Sequence, residues 1–370
     1  MADDALIFTP DDVDLARSPL RRGIAHPTYV LGAFNPGLLR LPDGDLLMLV
    51  RVAEALSEPV RDGTVRSIRW CEGGYAVDAW PLDQVDMSDP RQFRLKAQGA
   101  PQLGLTSLSW LLPVRLSPDG RRVKAVLYDR AIAPNGPSQM YGIEDARISR
   151  IDDAWWMTVC SVGPERLGTS LYRSADGLAW EPLGLVLDHL NKDMLLFEGR
   201  PGGRYMALTR PLGEVYFLQP PGADRLAGPA IHFAASPDGL HWRPLEVPGL
   251  RARRSTPVRK LGGGTPPVLT PAGWLTLYHG VEPQAEVGAY RTYWALLDRD
   301  DPTRILRQED AAPLMESSPE LIAPVAHRQY LPSPVVFSTG MVEDGDDWLV
   351  ASGEADLACR MTRLPKSRFA

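Results

Sequence analysis

The sequence predicts an all-β protein arranged as a five-bladed β-propeller, and three observations carry that expectation. Glycine (33), proline (35) and tryptophan (10) are plentiful among the 370 residues, and short β-rich runs bounded by Gly, Pro and Asp replace any long helical periodicity. Three hairpin turns share one pattern: Ser117-Pro118-Asp119-Gly120, Ser174-Ala175-Asp176-Gly177 and Ser236-Pro237-Asp238-Gly239, the last two continuing alike to Trp180 and Trp242. Asp-Gly suits a tight turn because glycine accepts positive φ and aspartate bonds back to the backbone. The turns recur at intervals of about 60 residues, the length of a four-stranded sheet with generous loops.

The third observation is a turn followed by an apolar strand that closes on polar residues. It occurs as Leu46 to Arg51, Trp155 to Ser161, Tyr205 to Arg210, Trp274 to His279 and Trp348 to Asp356. Five copies of a unit that cannot bury its faces alone are stable when packed radially, whereas a β-sandwich needs closer strand repeats. With no linker or low-complexity tract to divide it, residues 1–370 read as a single domain with short extensions at either end. The tail from Arg360 to Ala370 is either a last strand or a loose end. Radial packing brings equivalent strand ends to one channel mouth, so Arg51, Glu54, Arg210, His279, Glu354 and Asp356 are expected to share a pocket with Asp145. Taken singly, each is a surface charge or a satisfied turn residue. Trp155, Trp156, Trp274 and Trp348 follow turns and read mainly as packing between blades.

Composition narrows the partners. A net charge of -6 leaves no basic footprint for nucleic acid. No apolar run is long enough to span a membrane, and the N-terminus carries no signal-peptide pattern, so a cytoplasmic protein is expected. Three scattered cysteines build neither a disulfide framework nor a zinc site, and the six histidines show no paired spacing, so no metal and no cofactor is expected. Gly262-Gly263-Gly264-Thr265 lacks the Lys-Ser/Thr of a phosphate-binding loop and precedes Pro266-Pro267, and no Gly-x-Ser-x-Gly elbow is present.

The stretch Tyr141-Gly142-Ile143-Glu144-Asp145-Ala146-Arg147-Ile148 sets two carboxylates beside a guanidinium at the start of a strand. In isolation it reads as an ion pair on a strand edge. Beside aromatic and basic residues it suits a carbohydrate site, where an acid protonates the leaving oxygen of a glycosidic bond. If water is the nucleophile a second carboxylate must activate it. If inorganic phosphate is the nucleophile, a basic pocket replaces that base.

A collinear series of motifs sharpens this. Phe34-Asn35-Pro36-Gly37, Glu144-Asp145-x-Arg147, Asn191-Lys192-Asp193 with Leu196-Phe197, Thr209-Arg210-Pro211, Gly262 to Pro267, Gly273-Trp274-Leu275, Tyr278-His279-Gly280 and Leu296-Leu297-Asp298 before Asp301-Pro302 follow one another. The series resembles the β-mannoside phosphorylase family, glycoside hydrolase family 130, a set of five-bladed propellers, over nearly the whole chain. The resemblance implies an inverting mechanism with Asp145 as proton donor, acting through a sugar hydroxyl, and Arg147 holding the acid or the sugar. It implies a sugar pocket lined by Asn35, Arg51, Glu144 and Asp356 with Tyr278 and His279 at its rim, and a phosphate contact from Lys192. Inorganic phosphate is then a co-substrate and an oligosaccharide or mannoside the partner, with an oligomer left open.

Departures from the family pattern qualify the phosphate site. Ala146 replaces the proline after Glu-Asp, Trp110 follows Ser109 where a basic residue is usual, Thr209 replaces a histidine, and Phe197-Glu198-Gly199-Arg200 replaces Phe-Pro-Glu-Lys. Arg166, Arg200 and Arg210 are candidates to restore the missing charge. The alternatives are an inverting β-mannoside hydrolase in the same pocket, with Glu198 or Glu354 holding water, and a glycan-binding propeller that has lost catalysis. An arabinanase-type propeller requires three separated acids that the sequence does not convincingly supply.

Overall fold

An apolar run such as Leu46-Leu47-Met48-Leu49-Val50 is satisfied only in a strand covered on both faces. The computed structural model, which describes residues 3–96, 102–213, 215–284, 287–331 and 333–369, places it so. In the strand Leu46–Leu56, Leu46, Met48, Val50 and Val52 join one core cluster while Leu47 and Leu49 join another, the alternation that a period of two requires.

The protein is almost entirely β-structure, with one short α-helix, Pro319–Ile322, among the described residues. Five antiparallel sheets follow one another along the chain. The first contains Thr28–Arg40, Leu46–Leu56, Ser107–Leu116 and Val123–Val126; the second, Ile143–Ile151, Ala154–Val162, Leu167–Ser174 and Glu181–Leu187. The third contains Asn191–Leu196, Tyr205–Pro211, His232–Ser236 and Arg243–Pro244. The fourth contains Lys260–Gly263, Gly273–Glu282, Ala289–Leu297 and Ile305–Glu309, with Val268–Thr270 added beside its second strand. The fifth, Val336–Asp344, Asp347–Glu354 and Ala358–Pro365, is completed by the N-terminal strand Asp3–Phe8. All five apolar repeats of the sequence are second strands of these sheets. The basic tail begins in the strand Ala358–Pro365, as one of its two readings held, continues as a 3-10 turn over Lys366–Phe369, and its last residue, Ala370, lies outside the described residues.

Core clusters lie between successive sheets. Leu39 and Leu49 of the first meet Ile148 and Met157 of the second. Trp156 of the second meets Leu196 and Tyr205 of the third, and Leu208 and Phe233 of the third meet Trp274 and Tyr293 of the fourth. Leu277 of the fourth meets Val350 of the fifth, and Met361 of the fifth meets Met48 and Trp110 of the first. Trp156, Trp274 and Trp348 are therefore packing residues. Between the second and third strands of the first sheet an insertion adds two three-stranded sheets, built from residues 60–81 and 85–105. No described helix is long and apolar enough to cross a membrane.

The Asp-Gly turns join third to fourth strands and dock on a neighbouring sheet. In the second sheet Asp176 Oδ1 accepts from the Leu178 and Ala179 amides, and the Ser174 hydroxyl accepts from the Gly177 amide. Gly177 has φ +79, and a Cβ there would stand 3.2 Å from Leu39 of the first sheet. Gly44 has φ +90 with nothing within 4 Å. Gly177→Ala is expected to cost about 2–4 kcal/mol of stability and Gly44→Ala about 1–2 kcal/mol, the difference being overpacking at the docked turn. Urea unfolding of both variants measures it, and equal losses would show that the turn does not seat against its neighbour.

Candidate active site

An antiparallel pair sets the beginning of one strand beside the end of the next, so first strands begin and second strands end at the same edge of each sheet. That edge carries the polar residues. Phe34 pairs with Arg51, Lys192 with Arg210 and Gly262 with His279. In three successive sheets the first strand is bulged there: register shifts fall between Phe34 and Gly37, Glu144 and Arg147, and Lys192 and Leu195. Each bulge contains a left-handed residue, Asn35 (φ 48), Asp145 (φ 54) or Asp193 (φ 56), and Asp356 (φ 50) stands in the same conformation after the second strand of the fifth sheet. Asn and Asp tolerate this region better than other side-chain-bearing residues, and a bulge re-aims the side chain it carries.

All four point into one cavity of about 240 Å³, which Arg51, Glu144, Lys192, Arg210 and His279 also line. Arg51 is its central cation: Nη1 lies 3.0 Å from Asp145 Oδ1, Nη2 2.8 Å from Glu144 Oε1, and Nε donates to Ser109 Oγ at 3.0 Å. Lys192 Nζ is 3.0 Å from the other Glu144 oxygen, and Asn35 Nδ2 donates to Asp145 Oδ1 at 2.9 Å. Burial by itself would raise the pKa of Asp145, but Arg51, Lys192, Arg147 and the Asn35 hydrogen bond outweigh it and hold the carboxyl well below the usual range. Burial would likewise lower Lys192, yet Glu144 keeps it above its ordinary value.

A second group surrounds Asp193. Arg210 Nη2 lies 2.8 Å from Asp193 Oδ2 as a charge contact, without hydrogen-bond alignment, so that oxygen has no hydrogen-bond partner among the described residues. Both ring nitrogens of His279 and the Asn35 Oδ1 are also buried without a partner there. Buried polar atoms are rarely left so, and these cluster at the cavity, as a ligand site requires. Burial, then Arg210 and Arg147, push the His279 pKa well down.

Not every residue expected at the site reaches it. Arg147 is buried behind the wall, where Nη1 donates to the Asp145 carbonyl at 2.7 Å and Nε to the Gly264 carbonyl at 2.6 Å, bracing the bulge. Tyr278 is a correction: it neighbours His279 on a strand, so the two point to opposite faces, and its hydroxyl donates to the Glu309 carbonyl within the core between the third and fourth sheets. Arg166 is a second: it is exposed beside Glu165 and does not line the cavity. Arg200 instead contacts Asp152 and Tyr205. Glu54 and Glu354 are structural, the former accepting from Ser18, Thr28 and Trp110, the latter from Ser317, Ser318 and Arg360. Glu198 follows the far end of its strand, beside Pro267 and Arg150, where burial and Glu343 push its pKa up to about 7.

Conversely, the cavity contains Tyr290, Tyr330 and Phe337, and Arg91 and Gln92 from the insertion, none of which the sequence reading singled out. The insertion lies outside the repeat, so periodicity carries no signal for it. Asp193 had a usable signal, an acidic residue two positions into a first strand as at Asp145. Among the described residues no cluster of His, Cys, Asp and Glu is arranged to hold a metal.

Comparison with known proteins identifies the family. A family model described as beta-1,4-mannooligosaccharide phosphorylase, of glycoside hydrolase family 130, matches residues 114–367. A beta-1,2-mannobiose phosphorylase from Listeria innocua is 32% identical, covering 95% of this chain and 91% of that protein. A 1,2-beta-oligomannan phosphorylase from a Thermoanaerobacter species is 30% identical, covering 65% of this chain and 74% of that protein. The solved complex of the Listeria innocua beta-1,2-mannobiose phosphorylase with beta-1,2-mannobiose superposes with a TM-score of 0.78 at 28% identity, covering 99% of this chain and 98% of that one.

The buried imidazole of His279 gives a direct check. Its depressed pKa keeps the ring neutral, so its nitrogen NMR shifts should not change between about pH 8 and pH 6. In the unfolded chain the ring binds a proton below about pH 6.5, so its contribution to folding stability should fall as pH drops through that value. A ring titrating near pH 6.5 in the folded protein would contradict the burial described.

Proposed function

This chain belongs to glycoside hydrolase family 130, and on that footing we propose that it is a mannosyl phosphorylase that cleaves a β-mannoside with inorganic phosphate and inverts the anomeric configuration. The observation that carries the reading is the juxtaposition of Asp145 with a cation-rich wall, Lys192 and Arg210, around unpartnered polar atoms. The most extensive relatives described above act on β-1,2-linked mannose, and we take mannobiose or a short β-1,2-mannooligosaccharide as the substrate. The fold that presents the site is, in this reading, a five-bladed propeller. Cyclic packing of five sheets, with the N-terminal strand completing the last, supports it. Three unpaired cysteines suit a reducing compartment such as the cytoplasm.

In the proposed step a phosphate oxygen bonds to the anomeric carbon as the glycosidic C–O bond breaks. The electron pair goes to the leaving oxygen, which receives the proton of Asp145 by way of a sugar hydroxyl, the route the family resemblance implies. Inversion of a β-linkage yields α-mannose 1-phosphate. Asp145 is a carboxylate in the free site because Arg51, Lys192 and Arg147 hold it so. A phosphate anion beside Lys192 and Arg210 neutralises part of that field and raises its proton affinity, so that co-substrate binding readies the acid. The proton that phosphate gives up on forming the ester restores the balance. Asn35, Arg51 and Glu144 would hold the mannosyl ring, with Asp356 towards its leaving-group side, and Arg147 would fix the bulge from behind. A hydrolytic reading needs a carboxylate to activate water, and the two nominated for it, Glu198 and Glu354, stand outside the cavity.

Two measurements test this. Incubation with β-1,2-mannobiose should yield α-mannose 1-phosphate and mannose only when phosphate is supplied; free mannose alone, formed without phosphate, would replace phosphorolysis with hydrolysis. Asp145→Asn should lower kcat by about 10²–10⁴-fold, and near-wild-type turnover would remove Asp145 from the acid role.

A further inference from the structure

The insertion in the first sheet supplies Arg91, Gln92 and Leu105 to the cavity wall. Arg91 is held there with little freedom. Its amide and Nε both donate to Asp89 Oδ1, at 2.9 and 3.0 Å, and Nη2 donates to Asp89 Oδ2 at 2.8 Å. The turn beneath is tied down by Thr106, whose amide donates to the Arg91 carbonyl at 3.0 Å and whose hydroxyl donates to the Pro90 carbonyl at 2.9 Å. The Arg91 side chain stays 35% exposed, and among the described residues its Nη1 has no partner.

Asp356 stands in the same space. It forms no ion pair within 4.0 Å among the described residues, and burial raises its pKa against the opposing pull of Arg51 and Arg91. Tyr330 lines the wall and donates its hydroxyl to the Asp356 carbonyl at 3.3 Å. A fixed donor, a free carboxylate acceptor and an aromatic face are what a polyol ring needs for orientation. In an inverting displacement the nucleophile and the leaving group lie on opposite faces of the reacting carbon. Lys192 and Arg210 of the third sheet mark the nucleophile side, whereas Arg91 enters from the insertion of the first sheet and lines the cavity with Asp356 and Tyr290 of the fifth and fourth.

We propose that Arg91, presented by the insertion and locked by Asp89 in the cavity it shares with Asp356, binds the leaving sugar and determines which acceptor the enzyme accepts. This rests on the phosphorolysis reading. The test is steady-state kinetics in both directions on Arg91→Ala, Arg91→Lys and Asp89→Asn. For Arg91→Ala the KM for mannobiose, and for mannose as acceptor in the reverse reaction, should rise about 10- to 100-fold, while those for phosphate and mannose 1-phosphate stay within about twofold. Arg91→Lys should recover only part of the loss, because the charge remains but the fork does not, and Asp89→Asn should show a weaker form of the same defect. Unchanged sugar constants, or a larger rise in KM for phosphate, would overturn the assignment. If the wild-type enzyme forms no mannose 1-phosphate, the failure lies with phosphorolysis. Calorimetric binding of mannobiose, weakened in Arg91→Ala or not, then decides the role of Arg91 by itself.

Discussion

Four carboxylates, Glu144, Asp145, Asp193 and Asp356, share a cavity of about 240 Å³. Carboxylates so concentrated are tolerated only where cations stand among them, because desolvated like charges repel and each ion loses its hydration. Arg51 is the keystone of that balance, since one planar fork engages Glu144 and Asp145 at 2.8 and 3.0 Å and its remaining nitrogen is held by Ser109. Lysine has no equivalent geometry. Lys192 and Arg210 complete the balance from the third sheet, and because they also face the cavity they can exchange part of their interaction with protein carboxylates for an incoming anion.

The backbone makes this charge arrangement attainable. A regular first strand would alternate its side chains between two packed faces, with none directed to the end of the sheet. The left-handed residue at Asn35, Asp145 and Asp193 breaks that alternation at the same place in three neighbouring sheets. Strain at these positions is held by long-range bonds: Asn35 to Asp145 between sheets, and Arg147 to the carbonyls of Asp145 and Gly264. The site is thus built on sheet ends clamped to one another, which gives the pre-organisation that catalysis by positioning requires.

The free site is set for anion binding more than for proton donation. Asp145 is ionised and His279 is neutral, both because of the arginine-rich surroundings and, for His279, burial before that. A carboxylate in such a field gains proton affinity when a bound anion offsets part of the surrounding positive charge. The insertion adds a separate contribution. It lies outside the repeating sheets and brings a rigid arginine to a wall that the repeats leave to Asp356 and Tyr330.

Much of this was legible in the linear chain. The apolar runs at Leu46, Trp155, Tyr205, Trp274 and Trp348 marked all five second strands, because a strand covered on both faces is apolar at most positions, with only hydrogen-bonding residues such as Thr158 and Thr276 between. The Asp-Gly turns and the motif around Asp145 are local signals. Repeat position placed Arg51, Arg210, His279 and Asp356 at one edge, and the family resemblance added Asn35 and Lys192; Glu54 and Glu354, placed by the same repeat, are spent on structural bonds instead. Tyr278 does not reach the cavity, because neighbours on a strand diverge and the motif alone does not say which faces inward. Arg91 and Tyr330 carried no periodic signal, since they reach the cavity from an insertion and a loop whose paths no local pattern dictates, and Tyr290 and Phe337, each second in its strand, lie outside the second-strand repeat that marked the edge. The sequence by itself determined the strands and the turns and singled out the acidic motif at Asp145, because each depends on residues adjacent along the chain. Only the tertiary structure decided which charges share the cavity and which carboxylates are spent on structural bonds, because that depends on distances between residues far apart along the chain, 48 to 117 positions in the bonds joining Glu144, Asp145 and Arg147 to Asn35, Arg51, Lys192 and Gly264.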